Sequence, residues 1–75
     1  MKLYSYQEIT AKAEAQIEYF THAARRCLNS APDEALAKRE IAYGVYIGWR
    51  SLVESCPDRK RYMADDLHLE ALLHA

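Results

Sequence analysis

Two carboxylate–imidazole pairs stand at helical spacing in this sequence: Glu18 with His22, and Glu70 with His74. Four residues apart on a helix, a carboxylate can orient an imidazole as a general base or as a metal ligand. Charged helices also place such pairs on their surfaces by chance, where the contact is weak, and that is the reading we take. His68 and His74 are six apart, on nearly opposite sides of a helix, so the two do not clamp one metal. The sequence holds no HExxH, no CxxC, no glycine-rich phosphate loop and no serine in a nucleophile-elbow context. A catalytic constellation, a metal and a cofactor are therefore not expected.

Positive charge offers a second chemistry. Arg25-Arg26 and Lys38-Arg39 fall at one level near the turn of a helical hairpin, and guanidinium forks suit phosphate or carboxylate. Arg25, Arg26, Lys38 and Arg39 are thus the candidate anion-binding residues. Asp33, Glu34 and Glu40 lie close enough to neutralise them, which would leave a solvated charged face. Arg59-Lys60-Arg61 forms a further basic cluster, with Arg50 between the two.

The chain that must position these groups has 75 residues, a formal net charge of −1 and 28% charged residues. That length makes one domain, residues 1–75, burying roughly 60% of the surface its unfolded form exposes. Cores of this size commonly need oligomerisation, a metal or disulfides. The near-zero charge gives no global attraction to nucleic acid or to an anionic membrane. No apolar run approaches the ~18 residues of a membrane span, and no signal-peptide pattern opens the sequence, so a cytoplasmic location is expected. Cys27 and Cys56 are too few for a disulfide scaffold.

Periodicity makes the protein all-α. Ser5 and Glu8 read as a capping box, with Tyr4 and Ile9 as the hydrophobic staple. Ile9, Ala13, Ile17, Phe20, Ala24 and Cys27 then mark one face of a helix over about 6–29. Ser30 is placed as the cap of a second helix over about 31–56, with Pro32 in its first turn. Its stripe is Ala35, Ala42, Val45, Trp49, Leu52 and Cys56, ended by Pro57. The short turn between them predicts an antiparallel hairpin.

Facing residues in that hairpin have numbers summing to about 62, so Phe20 meets Ala42, Ile17 meets Val45, Ala13 meets Trp49, and Ile9 lies near Leu52 and Val53. This register sets Cys27 and Cys56 roughly 30 Å apart at 1.5 Å rise per residue, too far for a bridge, and both read as small core residues. Within 58–74, Tyr62, Met63, Leu67, Leu69, Leu72 and Leu73 predict a third, shorter helix. It starts either at Asp58 or at Asp65 or Asp66. Leu67 and Leu69 fall on different faces of it.

Apolar residues remain off the hairpin seam: Tyr4, Tyr6, Tyr19, Leu36, Tyr43, Tyr46 and Ile47. The third segment can cover part of them, and the rest are assigned to the rim of the core or to an interface, since large exposed apolar patches mark interaction sites. Gly44 and Gly48 stand four apart inside the second helix, where each costs roughly 1 kcal/mol relative to alanine. Their expected use is close packing against the first helix or a symmetry mate. The candidate partner-binding surface is accordingly Tyr43, Gly44, Tyr46, Ile47, Gly48 and Trp49.

Two helices joined by a turn with Pro32 and Asp33, and Gly48-Trp49-Arg50-Ser51-Leu52-Val53 late in the second, resemble phage anti-CBASS proteins over about residues 9–57. That resemblance implies a compact helical oligomer sequestering a cyclic oligonucleotide signal, with Tyr6, Arg25 or Tyr46 at base and phosphate. More broadly, the chain resembles small helical accessory proteins of phages and mobile elements. The expected function is a non-enzymatic, homo-oligomeric binding protein that inhibits or adapts a host or defence protein. A cyclic-nucleotide sponge is the alternative, and a nucleic-acid-binding accessory protein comes third.

Overall fold

The computed structural model describes residues 4–75, which form three helices: α1 (Tyr6–Cys27), α2 (Pro32–Val53) and α3 (Arg59–Leu73). No strand occurs among the described residues. Each helix begins where its local chemistry favours a start. The Ser5 hydroxyl oxygen accepts from the Glu8 N–H at 3.1 Å, and the same hydroxyl lies 3.2 Å from the Glu8 carboxylate. Asp58 caps α3 by accepting from the Arg61 N–H at 3.1 Å, so α3 is the longer of the two helices the sequence allowed and runs unbroken past Ala64.

The start of α2 differs from expectation. Ala31, not Ser30, occupies the cap position, and no side chain bonds the first turn. Proline explains the shift. Pro32 suits the first helical position, and it pushes the residue before it out of the α region, so Ser30 is left in the turn.

The hairpin closes on one row of side chains from each helix. Ala13, Ile17, Thr21 and Ala24 of α1 are buried against Ala35, Ala42, Tyr46, Trp49 and Val53 of α2. Trp49 anchors the register by donating its indole N–H to the Thr10 hydroxyl at 2.9 Å. Two seam assignments are corrected. Leu52 is 70% exposed, with Val53 in the inward place, and Phe20 is only half-buried. Cys27 and Cys56 are free thiols, each half-buried.

The third helix packs over one side of the hairpin and changes the status of Tyr46. Tyr46, expected off the seam, is 5% exposed because α3 covers it. Tyr46, Trp49 and Tyr62 stack in series, with ring centroids 6.3 and 5.5 Å apart and planes within 20° and 7°. Polar clips hold the helix in place. The Tyr6 hydroxyl donates to Asp65 and the Tyr46 hydroxyl to Asp66, both at 2.7 Å, while His68 and Glu14 meet at 2.7 Å. Leu69 is fully buried, whereas Met63 and Leu67 point outward.

The basic connector is bound into the same arrangement. Arg59 donates to the Glu54 and Cys56 carbonyls and lies over the Tyr62 ring, and Arg61 lies over the Tyr6 ring. These guanidiniums close the base of the hairpin against α3.

The shape is flat, 44 × 29 × 15 Å, and the radius of gyration of 13.5 Å exceeds the ~11 Å typical of a globular chain this long. One face of the hairpin carries α3. The other face has no helix over it among the described residues.

Candidate functional site

Two grooves flank the α1–α2 seam. On the face away from α3, Tyr4, Ile9, Lys12, Ala13 and Gln16 oppose Val45, Gly48, Trp49 and Leu52 across a shallow groove of about 350 Å³. Helical spacing accounts for its walls. Val45, Gly48 and Leu52 follow one another along one flank of α2, and Ile9, Lys12, Ala13 and Gln16 along the matching flank of α1, with Ile41 and Phe20 next in the two rows beyond the groove. Gly48 deepens the groove because it brings no side chain. A Cβ built at Gly44 or at Gly48 meets nothing within 4 Å, and neither residue takes a positive φ. Within one chain, the close packing expected at the two glycines is therefore absent. α1 contacts α2 through Ala42, Tyr46 and Trp49 instead.

The six residues proposed as a partner surface divide accordingly. Tyr46 and Trp49 are interior, and their hydrogen bonds go to Asp66 and Thr10. Tyr43 and Ile47 are exposed at 57% and 39%, and Tyr43 lines the groove under α3. Gly48 lines the open groove beside Ile9, Val45 and Leu52, and Gly44 is exposed outside that lining.

The second groove, about 540 Å³, is closed by α3. Thr21 lies in it with Arg39, Tyr43 and Arg50 of α2, and Asp66, Glu70 and His74 complete its other wall. Asp66 is engaged there by the Tyr46 hydroxyl and, at 3.7 Å, by Arg50. Burial, then the hydrogen bond to Asp66, pushes the Tyr46 hydroxyl up to about 12. Burial and the bond to Asp65 do the same for Tyr6, also to about 12. The Tyr62 hydroxyl, followed by Tyr46 and Asp66, holds the Arg50 guanidinium above its ordinary range.

The four candidate anion-binding residues are not brought to one site. Arg25 and Arg26 border a shallow depression on the outer face of α1 with Glu18, Tyr19 and His22. Lys38 pairs with Glu34 at 3.4 Å, and Arg39 alone faces the α3 groove. Glu18 with His22, and Glu70 with His74, form no ion pair among the described residues. The histidine that does meet a carboxylate is His68, across 54 positions to Glu14, and no short-range signal marks it. Among the described residues no group of three His, Cys, Asp or Glu is arranged to hold a metal. No helix among them is long and apolar enough to cross a membrane.

No family model, curated protein or solved structure matches the chain. The geometry of the two grooves therefore carries the functional argument.

Proposed function

We propose that this is a non-enzymatic helical binding protein whose working surface is the open face of the α1–α2 hairpin. The observation that carries the reading is the groove beside Gly48. It is apolar, it is uncovered by α3, and Leu52 stands 70% exposed at its edge. A helix laid along that face would bury Ile9, Val45 and Leu52 and come close to the backbone at Gly48. Helix-in-groove recognition of this kind uses anchors at i, i+3, i+4 and i+7.

The occupant we favour is a second copy of the chain. The α2 flank presents Ile41, Val45 and Leu52 at helical spacing directly beside the Gly48 notch, so knobs and hole lie on one surface. A two-fold contact needs this self-complementarity, because the same patch serves both partners. The flat single hairpin would then become the middle of a four-helix layer, consistent with the extra core a chain of this size commonly recruits. A host or defence protein, an anti-defence role, an origin in a phage or mobile element and a cytoplasmic setting rest on the sequence resemblance and composition. The geometry supports the narrower reading, binding through an apolar helical face.

Light scattering on the wild type and on Leu52→Glu and Gly48→Leu tests this. The wild type is expected as a dimer at micromolar concentration. Both variants should be monomers with unchanged helical circular dichroism, since neither position is packed within the chain. A monomeric wild type whose open face captures a different protein, with that capture lost in Leu52→Glu, would move the occupant to a heterologous partner. A monomer whose behaviour ignores both substitutions would remove the surface from the account.

A further inference from the structure

On the other side of the hairpin, the groove under α3 contains a polar group without a partner. Thr21 is 3% exposed, and its hydroxyl makes no hydrogen bond among the described residues. A buried hydroxyl left unpaired is costly, and valine would fill the same space without that cost. Thr21 also lines the groove itself, together with groups whose charges are not engaged elsewhere. Arg39 and Glu70 make no ion pair among the described residues. Of the other ionisable groups in the lining, Asp66 accepts from the Tyr46 hydroxyl and faces Arg50 at 3.7 Å, and His74 makes no ion pair among the described residues. At about 540 Å³ the space lies within the ~300–1,000 Å³ common for small-molecule clefts.

We propose that this groove binds a small molecule bearing an oxyanion, carboxylate or phosphate, together with a hydrogen-bond donor such as an ammonium or hydroxyl group. Arg39 takes the oxyanion, since a guanidinium fork matches two oxygens at once. Glu70 takes the donor, which also offsets the repulsion its carboxylate would exert on a bare anion. The Thr21 hydroxyl, able to donate and to accept, bonds the ligand at the floor of the groove. Discrimination follows from this pairing of opposite charges: a bare anion meets Glu70 unfavourably, and a bare cation meets Arg39 unfavourably.

The test is an amide NMR titration of the full chain with three probes: serine, O-phosphoserine and inorganic phosphate. Serine or O-phosphoserine is expected to give saturable shifts at Thr21, Arg39 and Glu70, with inorganic phosphate binding there at least tenfold more weakly. Comparison of the first two distinguishes a carboxylate ligand from a phosphate one. Thr21→Val and Arg39→Gln should each weaken the effective probe at least tenfold. Thr21→Val should also raise the melting temperature of the unliganded protein, because an unpaired hydroxyl is removed, so loss of binding cannot be ascribed to misfolding. Arg39 is exposed, and its variant should melt as the wild type does. The proposal is overturned if no probe gives saturable shifts at millimolar concentration. It is equally overturned if shifts fall on Arg59–Arg61 instead, if inorganic phosphate binds as tightly as the other two, or if binding survives both substitutions. The two grooves lie on opposite faces, so Leu52→Glu should leave this binding intact and separates its failure from failure of the open-face reading.

Discussion

Replacing Gly44 and Gly48 by alanine should stabilise the isolated chain. Both sit inside α2, both have ordinary negative φ, and a Cβ at either meets nothing within 4 Å. The substitution therefore adds no clash, and it recovers the helix propensity that glycine forgoes, about 1 kcal/mol per site. The double variant should gain about 2 kcal/mol. For a domain of this size about 1 kcal/mol moves the melting temperature by roughly 4–8 °C, so the pair should raise it by roughly 8–16 °C. Urea unfolding followed by circular dichroism, at protein concentrations low enough to keep the chain monomeric, gives the free energy directly. The m-value should be unchanged, because the folded surface is. Loss of stability, or no gain, would refute the reasoning, since it would mean that some group approaches Gly44 or Gly48 within the single chain. A gain would mean that the chain forgoes this stability with no compensation of its own, as surfaces reserved for a partner do.

Three other perturbations test the interior. Trp49→Ala removes the centre of the aromatic stack and the bond to Thr10, and should cost about 3–5 kcal/mol in urea unfolding. Asp58→Ala removes the α3 cap and should cost about 0.5–2 kcal/mol, read as preferential loss of amide protection in residues 59–62. Alkaline pH should destabilise the fold, because the Tyr6 and Tyr46 hydroxyls ionise near 12 in the folded protein and near 10.0 once unfolded. Raised tyrosine pKa values mean that the unfolded chain holds fewer protons in that interval, so this contribution is complete below about pH 10 and is lost as pH rises toward 12. Melting temperatures from pH 9 to 11.5 should fall accordingly, and Tyr46→Phe should lessen the slope.

The hairpin was legible because its signals are local. Apolar spacing, a capping box and Pro32 delimit α1 and α2 to within a few residues, and Pro57 marks the end of the second. What escaped was the work of α3. Its acidic face, Asp65 and Asp66, looked like possible helix caps, whereas both carboxylates receive tyrosine hydroxyls from the hairpin. Nothing within a few residues of Tyr6 or Tyr46 signals a partner 59 or 20 positions away. Spacing leaves open which off-seam residues the third segment covers, and it is Tyr46 that α3 makes core. Leu52, placed on the seam, is exposed instead. Leu52 and Val53 are adjacent apolar residues at a helix end, and periodicity alone does not choose which one turns inward. The glycine pair was singled out correctly as unusual, but its surroundings are a tertiary fact. Arg25 and Arg26 border a different depression from Arg39 for a related reason: residues level with one another along a hairpin still point to different sides of it.

The open face of the hairpin, on the proposed function, docks a second copy of the chain. A dilution series of amide NMR spectra tests it residue by residue. Concentration-dependent shifts should concentrate at Ile9, Gln16, Val45, Gly48 and Leu52, and should vanish in Leu52→Glu. Spectra that do not change with concentration, or changes confined to α3, would contradict it.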